Sequence, residues 1–498
     1  MTREDLENAI LDTEEEWIED ALPKTMGRQK RSAHGWLKPV IAAAACAVIA
    51  LAAAILWPKD SSIILPNKAV HAYALAEAQY PTMANGEDYY VGSYDNWRKM
   101  SEEERNRVIA AEGKARKEYW ALFEQTKGNG ESLKPFLQQA ITATLKESGS
   151  ENRLSAPLNL YLALAMLSEA TAGATRQEIL DLIGADSQES LREQVQNVWL
   201  ANYFDNGYVK TVLNNSLWLS NSYAYHQACV DTISDSCFAS VFTGEMGSPE
   251  YDMALQNWIN ERTGGLLKES ASKLEMDKDQ ILNLVSTLLF QDEWFASFAE
   301  SLIETGVFHA ASGDIQAEFM REENKTGQYY FGDLFGAYGK EMKDSGAVMY
   351  FILPDEGVSM DRLLADEELQ AFLTDETAVP STKLKVHFAL PKFDIAEDRK
   401  LGEVLQSLGV RKVFDVEEAD FSSLLPKEQD AFVSDVLQGA RIIVNEKGAQ
   451  AASYVTIPVY GAPPPAEDEI DFVLDRPFIF VLRSRDGLPL LAGVVNEP

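Results

Sequence analysis

Hydrophobic and polar positions alternate along residues 446–457, whose sequence is EKGAQAASYVTI. A period of two places one set of side chains on a single face, namely Ala449, Ala451, Ser453, Val455 and Ile457. The alternation predicts a β-strand whose buried face is small at one end and branched at the other. The sequence that follows, PVYGAPPP at 458–465, contains four prolines and predicts an exposed loop instead of a central strand. A strand-like segment that leads into an exposed loop indicates two alternative states for this part of the chain.

Apolar runs elsewhere predict strands and helices that come in blocks. The strand-like runs are 211–219, 281–290, 347–353, 383–390, 432–444 and 478–484. Helical periodicity covers 157–183, 251–273 and 398–409. Because helices and strands do not alternate strictly, this order favours an α+β fold over a doubly wound sheet.

One apolar run, 39–57, has the length of a membrane-spanning helix. It is uncharged, and about 20 apolar residues cross a hydrocarbon core of about 30 Å. The cations that precede it are Arg28, Lys30, Arg31 and Lys38. The positive-inside rule therefore predicts a single-pass membrane protein with a cytoplasmic N-terminus and an extracellular large domain. A cleaved signal peptide and a lipid-modified Cys46 are the competing interpretations.

These patterns divide the chain into four parts. They are an acidic cytoplasmic tail at 1–38, a transmembrane helix at 39–57, a juxtamembrane helical stalk or insertion at 58–131 and a large domain at 132–498. Within the third part, Ser101 and Glu104 form a capping-box sequence that predicts a helix running to about Thr126.

The charge of the chain restricts its partners. It carries 44 Lys and Arg against 78 Asp and Glu, which gives a formal net charge of −34. Nucleic acid is excluded as a partner, because binding it requires cations that displace phosphate counterions. An acidic surface could steer a basic protein partner, or could serve solubility alone.

The sequence contains none of the common catalytic or metal-binding patterns. The five histidines show no metal-ligand pairing, and no HExxH, CxxC, GxSxG or glycine-rich phosphate loop is present. Cys229 and Cys237 lie on a predicted helix about 12 Å apart, which is too far for a disulfide. We therefore expect a protein that is not an enzyme, with free thiols and no cofactor or metal.

The segments on both sides of 446–465 resemble the serpin family of protease inhibitors. Upstream, 431–436 and 443–448 are similar to the strand that feeds the family's reactive loop, and downstream, 475–478 and 493–496 are similar to its C-terminal strands. Further motifs follow in the family's order, at 154–159, 172–175, 257–265, 284–294, 390–393 and 401–409. The resemblance covers about 132–498. Together with the apolar run, it identifies the chain as a membrane-anchored serpin, for which we expect a bacterial source.

The resemblance implies a fold and a mechanism. The fold is α+β, with a large central β-sheet, further sheets, about eight to nine helices and an exposed reactive-centre loop at about 446–470. The mechanism is suicide inhibition, in which a protease attacks the loop, forms an acyl-enzyme and is trapped as the loop inserts into the central sheet. The implied partner is a target protease in a covalent complex, with the inhibitor acting as a monomer.

Matching the family's motifs assigns roles to individual residues. The loop hinge comprises Glu446, Gly448, Ala449, Ala451 and Ser453. The scissile zone comprises Tyr460, Gly461 and Ala462. The shutter and breach, where the central sheet parts, comprise Ser155, Asn159, Ser286, Trp294 and Gln438. Before cleavage, Ala449 is expected at the exposed base of the loop.

The chain departs from the family pattern at three places. Ser286 and Gln438 stand where the family has a bonded Asn and His, and a hydroxyl and an amide can also pair. Asn159 replaces a serine. The region 340–342 lacks the family's usual Pro-Tyr.

The loop composition restricts the target. Because no Lys or Arg lies between Lys447 and Arg476, we expect elastase-like, chymotrypsin-like or subtilisin-like proteases as targets, with cysteine proteases left open. The alternatives are a non-inhibitory serpin that acts as a cell-surface binding module, and an adhesion or stalk protein that uses 58–130.

Overall fold

The architecture comes from a computed structural model, which describes residues 68–83, 94–146, 148–426, 431–433, 436–449 and 468–498. These ranges belong to a compact unit that begins at Ile64. Most of the predicted reactive loop, at 450–467, lies outside the described residues, as does the whole of 1–67.

Thirteen α-helices lie in the described residues. They are α1 (Lys68–His71), α2 (Tyr94–Lys99), α3 (Glu102–Thr126), α4 (Lys134–Leu145), α5 (Pro157–Ala170), α6 (Gly173–Ile183), α7 (Gln188–Asn202), α8 (Gln227–Ser236), α9 (Pro249–Arg262), α10 (Lys268–Ala271), α11 (Met360–Leu364), α12 (Glu367–Phe372) and α13 (Gly402–Ser407). The number exceeds the eight to nine expected because six of them are short, with four to six residues each.

The central sheet contains eight strands. They are β1 (Ala74–Ala76), β3 (Phe204–Asp205), β4 (Lys210–Ser220), β5 (Ala239–Gly244), β6 (Leu282–Glu293), β12 (Phe393–Lys400), β13 (Leu437–Val444) and β14 (Gly448–Ala449). Their order is β1-β5-β4-β6-β14-β13-β12, with β3 paired to β4. The two-residue β14 is thus the described strand that connects β6 to β13.

A second sheet contains nine strands. They are β2 (Arg153–Ser155), β7 (Ile303–Ala310), β8 (Gly313–Phe331), β9 (Phe335–Glu341), β10 (Val348–Pro354), β11 (Ser381–Pro391), β15 (Glu469–Val473), β16 (Phe478–Arg483) and β17 (Pro489–Val495). Their order is β15-β11-β8-β9-β10-β16-β17-β2, with β7 paired to β8. The large mixed sheets and surrounding helices confirm the predicted α+β class.

Helix α5 lies in the main hydrophobic core behind the central sheet. Thirteen of its fourteen residues are buried, which explains why its sequence is apolar all round instead of on one stripe. Pro157 occupies the first turn, where a missing N–H has no cost. The helix ends before Thr171, and the Arg176 guanidinium donates to the Ser168 carbonyl near this end, at 2.9 Å from Nε. The predicted helix 157–183 is therefore two helices, α5 and α6.

Two other predicted boundaries differ from the structure. Residues 398–400 are not helical but continue strand β12, because they pair in register with β13, as in Lys400 with Leu437. Strand β13 begins at Leu437 and not at 432.

The capping box of α3 is present, since Ser101 and Glu104 each accept a hydrogen bond from the other's backbone N–H.

The segment that precedes the large domain packs against it. Val70 is buried in a cluster with Trp218 and Trp258, and β1 extends the edge of the central sheet by pairing with β5. Helix α3 is fixed at its C-terminal half, where the Arg485 guanidinium lies 3.7 Å from the ring centroid of Trp120. Residues 68–83 thus share a core with the domain that follows them, and α3 packs on this domain through Arg485 and Phe204.

The predicted localisation is corrected. The apolar run 39–57, the tail 1–38 and Cys46 lie outside the described residues. Among the helices that are described, none combines the length and the apolar composition that a bilayer crossing needs. This finding stands against a single-pass protein with a cytoplasmic N-terminus and an extracellular large domain.

Candidate functional site: the cleft between β6 and β13

The candidate site is a cleft between two strands of the central sheet. At its upper end, Gly448 pairs with Glu293 of β6, and Ala449 pairs with both Asp292 of β6 and Val444 of β13. Below Ala449, no strand among the described residues lies between β6 and β13. The cleft is therefore a sheet position that a further strand could fill.

The walls of the cleft are mostly apolar. A small cavity of about 40 Å³ lies near Asn159, Ser286 and Gln438, and one of about 440 Å³ lies at the lower end. The lower cavity is lined by residues of α5, β6 and the chain before β13, among them Leu160, Leu164, Leu282, Leu284, Val433 and Val436. Asp277, Asp279, Gln280 and Asn283 also line this cavity, so its walls combine apolar and polar side chains.

The hinge residues occupy the upper end of the cleft. Ala449 is only 1% exposed, which corrects the expectation that it lies at the exposed base of the loop. The backbone of Gly448 approaches β6 so closely that a Cβ would lie 2.2 Å from the Asp292 carbonyl oxygen. A glycine is therefore required at this position for packing reasons.

An ion pair anchors the residue that precedes the hinge. Lys392 Nζ lies 3.0 Å from Glu446 Oε2. Burial alone would raise the pKa of Glu446, but a backbone N–H and the Lys392 ammonium hold the pKa below its usual range. Glu446 is therefore ionised near neutral pH and ties the start of the loop to the segment between β11 and β12.

Trp294 lies at the upper end of β6 and contacts the turn that leads from β13 into the hinge. Its backbone N–H donates to the Lys447 carbonyl at 2.8 Å, and its indole Nε1–H donates to the Asn445 carbonyl at 2.9 Å. The side chain is buried. The structure thus brings Trp294 together with Glu446, Gly448 and Ala449.

The predicted shutter residues form two separate networks. In the first, Asn159 Nδ2 donates to Ser286 Oγ at 3.1 Å, and Ser286 Oγ donates to Asn215 Oδ1 at 2.8 Å. In the second, Gln438 Oε1 accepts from the Ala156 N–H at 3.1 Å, and Gln438 Nε2 donates to the Leu154 carbonyl at 3.2 Å.

Ser286 and Gln438 therefore bond to different neighbours and not to each other. Ser286 thus fixes β6 to α5 and β4, and Gln438 fixes β13 to β2 and to the residue before α5. Ser155 is buried between these networks on β2, where it pairs with Ala492.

Three residues at the site were not identified from the sequence. Asp292, Asn215 and Lys392 each bond to a hinge or shutter residue. Lys392 and Asp292 lie within the recognised motifs 390–393 and 284–294, so their positions in the chain, though not their contacts, were available from the sequence. Asp292 and Asn215 are polar residues inside apolar strands, where burial depends on the tertiary fold. Within the described ranges, no group of three or more His, Cys, Asp or Glu side chains could hold a metal ion.

Several predicted site residues cannot be placed. Ala451, Ser453, Tyr460, Gly461 and Ala462 lie outside the described residues. Their roles stay predictions.

The comparison with known families decides the identity of this architecture. The family model described as "Serpin (serine protease inhibitor)" matches residues 132–498, which is most of the chain. The chain belongs to the serpin family. Serpins are generally protease inhibitors and not enzymes, and their partners are proteases.

Relatives and solved serpin structures agree with this assignment. Serpin-ZX of Arabidopsis thaliana is 28% identical over 368 residues, which covers 70% of this chain and 93% of the relative. Neuroserpin of Mus musculus is 25% identical, with 70% and 86% covered. The native structure of tengpin, a thermophilic serpin, has a TM-score of 0.66 at 23% identity, with 74% and 93% covered. AtSerpin1 of Arabidopsis, in its native stressed conformation, has a TM-score of 0.63 at 25% identity, with 76% and 98% covered.

The comparisons leave two sequence predictions unsupported. The relatives named above are from Arabidopsis thaliana and Mus musculus, so they give no support for a bacterial source. They also give none for a membrane anchor, since the match begins at residue 132.

Proposed function

We propose that this serpin is a suicide inhibitor of serine proteases with elastase-like, chymotrypsin-like or subtilisin-like specificity, with cysteine proteases as a further possible class. It acts by acyl-enzyme trapping and insertion of the reactive loop into the central sheet. The observation that carries the proposal is β14. Its two residues already occupy the upper end of the cleft, hydrogen-bonded between β6 and β13.

Continuing the register of β14 down the cleft gives each residue from 450 to 457 a partner on β6, before Pro458, which has no N–H to donate. One step along the loop corresponds to one step back along β6. Ala451 then lies beside Phe290, Ser453 beside Leu288, and Val455 beside Ser286. These β6 residues point toward the core and α5, since Phe290 and Leu288 belong to the main core cluster and Ser286 bonds to Asn159.

This register explains the composition of the loop. Its small side chains would lie beside the large residues Phe290 and Leu288, whereas the branched Val455 would lie beside the small Ser286. Complementary volumes across two strands fill a core without voids or overpacking. A strand whose Ala449 face carries small residues first and branched residues later therefore fits this cleft.

The length of β6 matches the distance from hinge to scissile zone. In the same register Leu282, the first residue of β6, would pair with Val459. The scissile zone Tyr460–Ala462 follows immediately after. Because β14 is already in place, insertion of 450–459 would lengthen the new strand by about 33 Å and carry an attached protease toward the lower end of the sheet.

The chemistry of trapping needs only the target's own nucleophile. The protease hydroxyl or thiol attacks a carbonyl in the scissile zone, the peptide bond breaks, and the new amine of the downstream segment leaves. The loop then remains joined to the protease through an ester or thioester. Inhibition requires insertion to be faster than the hydrolysis of this bond by water.

The test is a panel of proteases followed by denaturing gels. We expect a covalent complex that resists SDS with at least one enzyme that accepts Ala or Tyr at the cut. Trypsin-like enzymes need a cation there and should form no such complex through this loop. Rapid stoichiometric inhibition of trypsin with cleavage inside 448–470 would contradict the proposed specificity. Cleavage by every enzyme without any complex would favour a non-inhibitory serpin.

A further inference from the structure

A buried ion pair lies beneath Trp294, in the region that lacks the family's Pro-Tyr. Lys340 on β9 bonds through Nζ to Glu322 on β8, and the two side chains are 3% and 10% exposed. Nζ also donates to the Ala296 carbonyl at 2.7 Å. Charges are costly to bury unless they are paired and hydrogen-bonded, so this arrangement has a strict geometry.

The same ammonium group contacts two aromatic rings. It lies 4.2 Å from the ring centroid of Phe298 and 5.5 Å from that of Trp294. Both distances are within the range of cation–π attraction. Lys340 therefore joins the second sheet to the segment 294–298, which leaves the upper end of β6 in the central sheet.

Segment 294–298 in turn holds the turn before the hinge through three hydrogen bonds. Two come from the backbone and indole N–H groups of Trp294 to Lys447 and Asn445. The third runs from the Phe298 N–H to the Glu446 carbonyl at 3.0 Å. A chain of direct contacts thus leads from Glu322 and Lys340 to the residues about which the loop must turn.

We propose that Lys340, with Glu322 as its partner, is a positioning residue that fixes segment 294–298 and so sets the register and speed of loop insertion. The pair keeps the upper end of the cleft rigid, so that the loop enters in the register of β14. Without the pair, the hinge is less well fixed and insertion slows relative to hydrolysis of the acyl bond. This inference rests on the proposed inhibitory function.

The test variants are Lys340→Met and the double variant Lys340→Met/Glu322→Gln. Lys340→Met alone leaves the Glu322 carboxylate buried without its cation, which could prevent folding. The double variant removes that charge and keeps the volume close to the original. We expect both to be cleaved at the wild-type bond. Each variant should need at least about three times as many inhibitor molecules per trapped protease as the wild type. The reason is that the fraction of protease trapped depends on the ratio of the rate of loop insertion to the rate of acyl-bond hydrolysis.

Arg483→Met is the matched control. Arg483 is also a buried cation, 3% exposed, with a carboxylate partner in Glu376 at 2.8 Å and an aromatic ring, Tyr350, at 4.0 Å. It lies on β16 of the same sheet but packs with Tyr350 in a different core cluster, away from Trp294. Its loss should lower stability without changing the number of inhibitors used per trapped protease.

A second measurement does not depend on inhibition. Hydrogen exchange at the Trp294 and Phe298 amides, which donate to the hinge turn, should accelerate about tenfold or more in the double variant and remain unchanged in Arg483→Met. The inference would be overturned if a folded double variant showed unchanged hydrogen exchange and an unchanged number of inhibitors used per trapped protease. It would also be overturned if Arg483→Met changed both quantities as much as the double variant does. If the wild type traps no protease, the proposed function fails, and the exchange rates still decide whether the ion pair fixes the hinge.

Discussion

At the scale of single residues, the cleft contains a carboxylate that the sequence did not single out. Asp292 is buried at the position that pairs with Ala449. Its carboxylate accepts hydrogen bonds from the N–H groups of Glu293 and Ser345 at 2.7 Å each, and of Asp344 at 3.2 Å. Burial, reinforced by the Asp344 charge, raises the pKa of Asp292 to about 7.

This pKa predicts a pH dependence of stability. Asp has a pKa of about 4 in an unfolded chain, so between about pH 4 and 7 the native state holds a proton that the unfolded state lacks. The free energy of unfolding contributed by this group therefore falls as pH rises through that window. Asp292→Asn is neutral throughout and should lack this dependence.

The measurement is the thermal midpoint of both proteins between about pH 5 and 8. The wild type should lose stability relative to Asp292→Asn as pH rises. In an Asp344→Asn background the change should occur at lower pH, because the Asp344 charge no longer raises the pKa. A difference in midpoint that stays constant with pH would contradict the assignment.

The sequence allows the positions of residues to be predicted where a family motif contains them, but not where burial depends on the tertiary fold. Gly448 and Trp294 belong to such motifs and lie together at the upper end of the cleft, while their roles stay predictions. Lys340 and Asp292 were not expected to be buried, because charged residues are normally exposed and only tertiary contacts reveal their partners. The expected exposure of Ala449 was wrong for a related reason. The alternation at 446–457 predicts a strand, but it does not show that Gly448 and Ala449 already pair with β6 and β13 in the uncleaved chain.

At the scale of elements, the burial of Ala449 changes which substitution tests insertion. Arginine at 449 would disturb the native sheet as well as the inserted one, since the site is already closed. The next residue on the same face is Ala451, which the register places beside Phe290. Residue 450 would lie on the opposite face and is already polar.

We therefore predict contrasting effects of Ala451→Arg and Gln450→Arg. In Ala451→Arg a guanidinium must enter the core without a partner, which costs several kcal/mol on the order expected for a buried charge. This variant should be cleaved at the wild-type bond but released as a substrate. Gln450→Arg carries the same charge one residue away and should still trap the protease. Gel analysis of complex against cleaved product measures both, and equal trapping by the two variants would argue against the proposed register.

The long elements were predictable because their periodicity is strong. Strands β4, β6, β10, β11 and β16 lie within a few residues of the predicted runs. The predicted helical run 157–183 is divided in the structure, because the chain turns extended at Thr171 and a second helix begins at Gly173, within the small-residue motif 172–175. Residues 398–400 are strand because pairing with β13 overrides local preference.

At the scale of the whole molecule, the segment before the large domain is part of its packing. Tyr80 packs against the stacked rings of Trp199 and Tyr203, with centroids 5.1 and 5.9 Å away. The order of the family motifs predicted the fold from 132 onward, and the family match begins at the same residue. Nothing in the sequence predicted that β1 would extend the central sheet, because three residues carry too little pattern to indicate a partner strand.

The central claim is that the cleft between β6 and β13 receives the cleaved loop. The most direct test is the thermal midpoint of the protein before and after a single cut within 460–462. An inserted strand would gain hydrogen bonds on both sides and bury its Ala449 face. The account therefore predicts a rise on the order of tens of degrees for the wild type and a smaller rise for Ala451→Arg. An unchanged midpoint after complete cleavage of the wild type would contradict it.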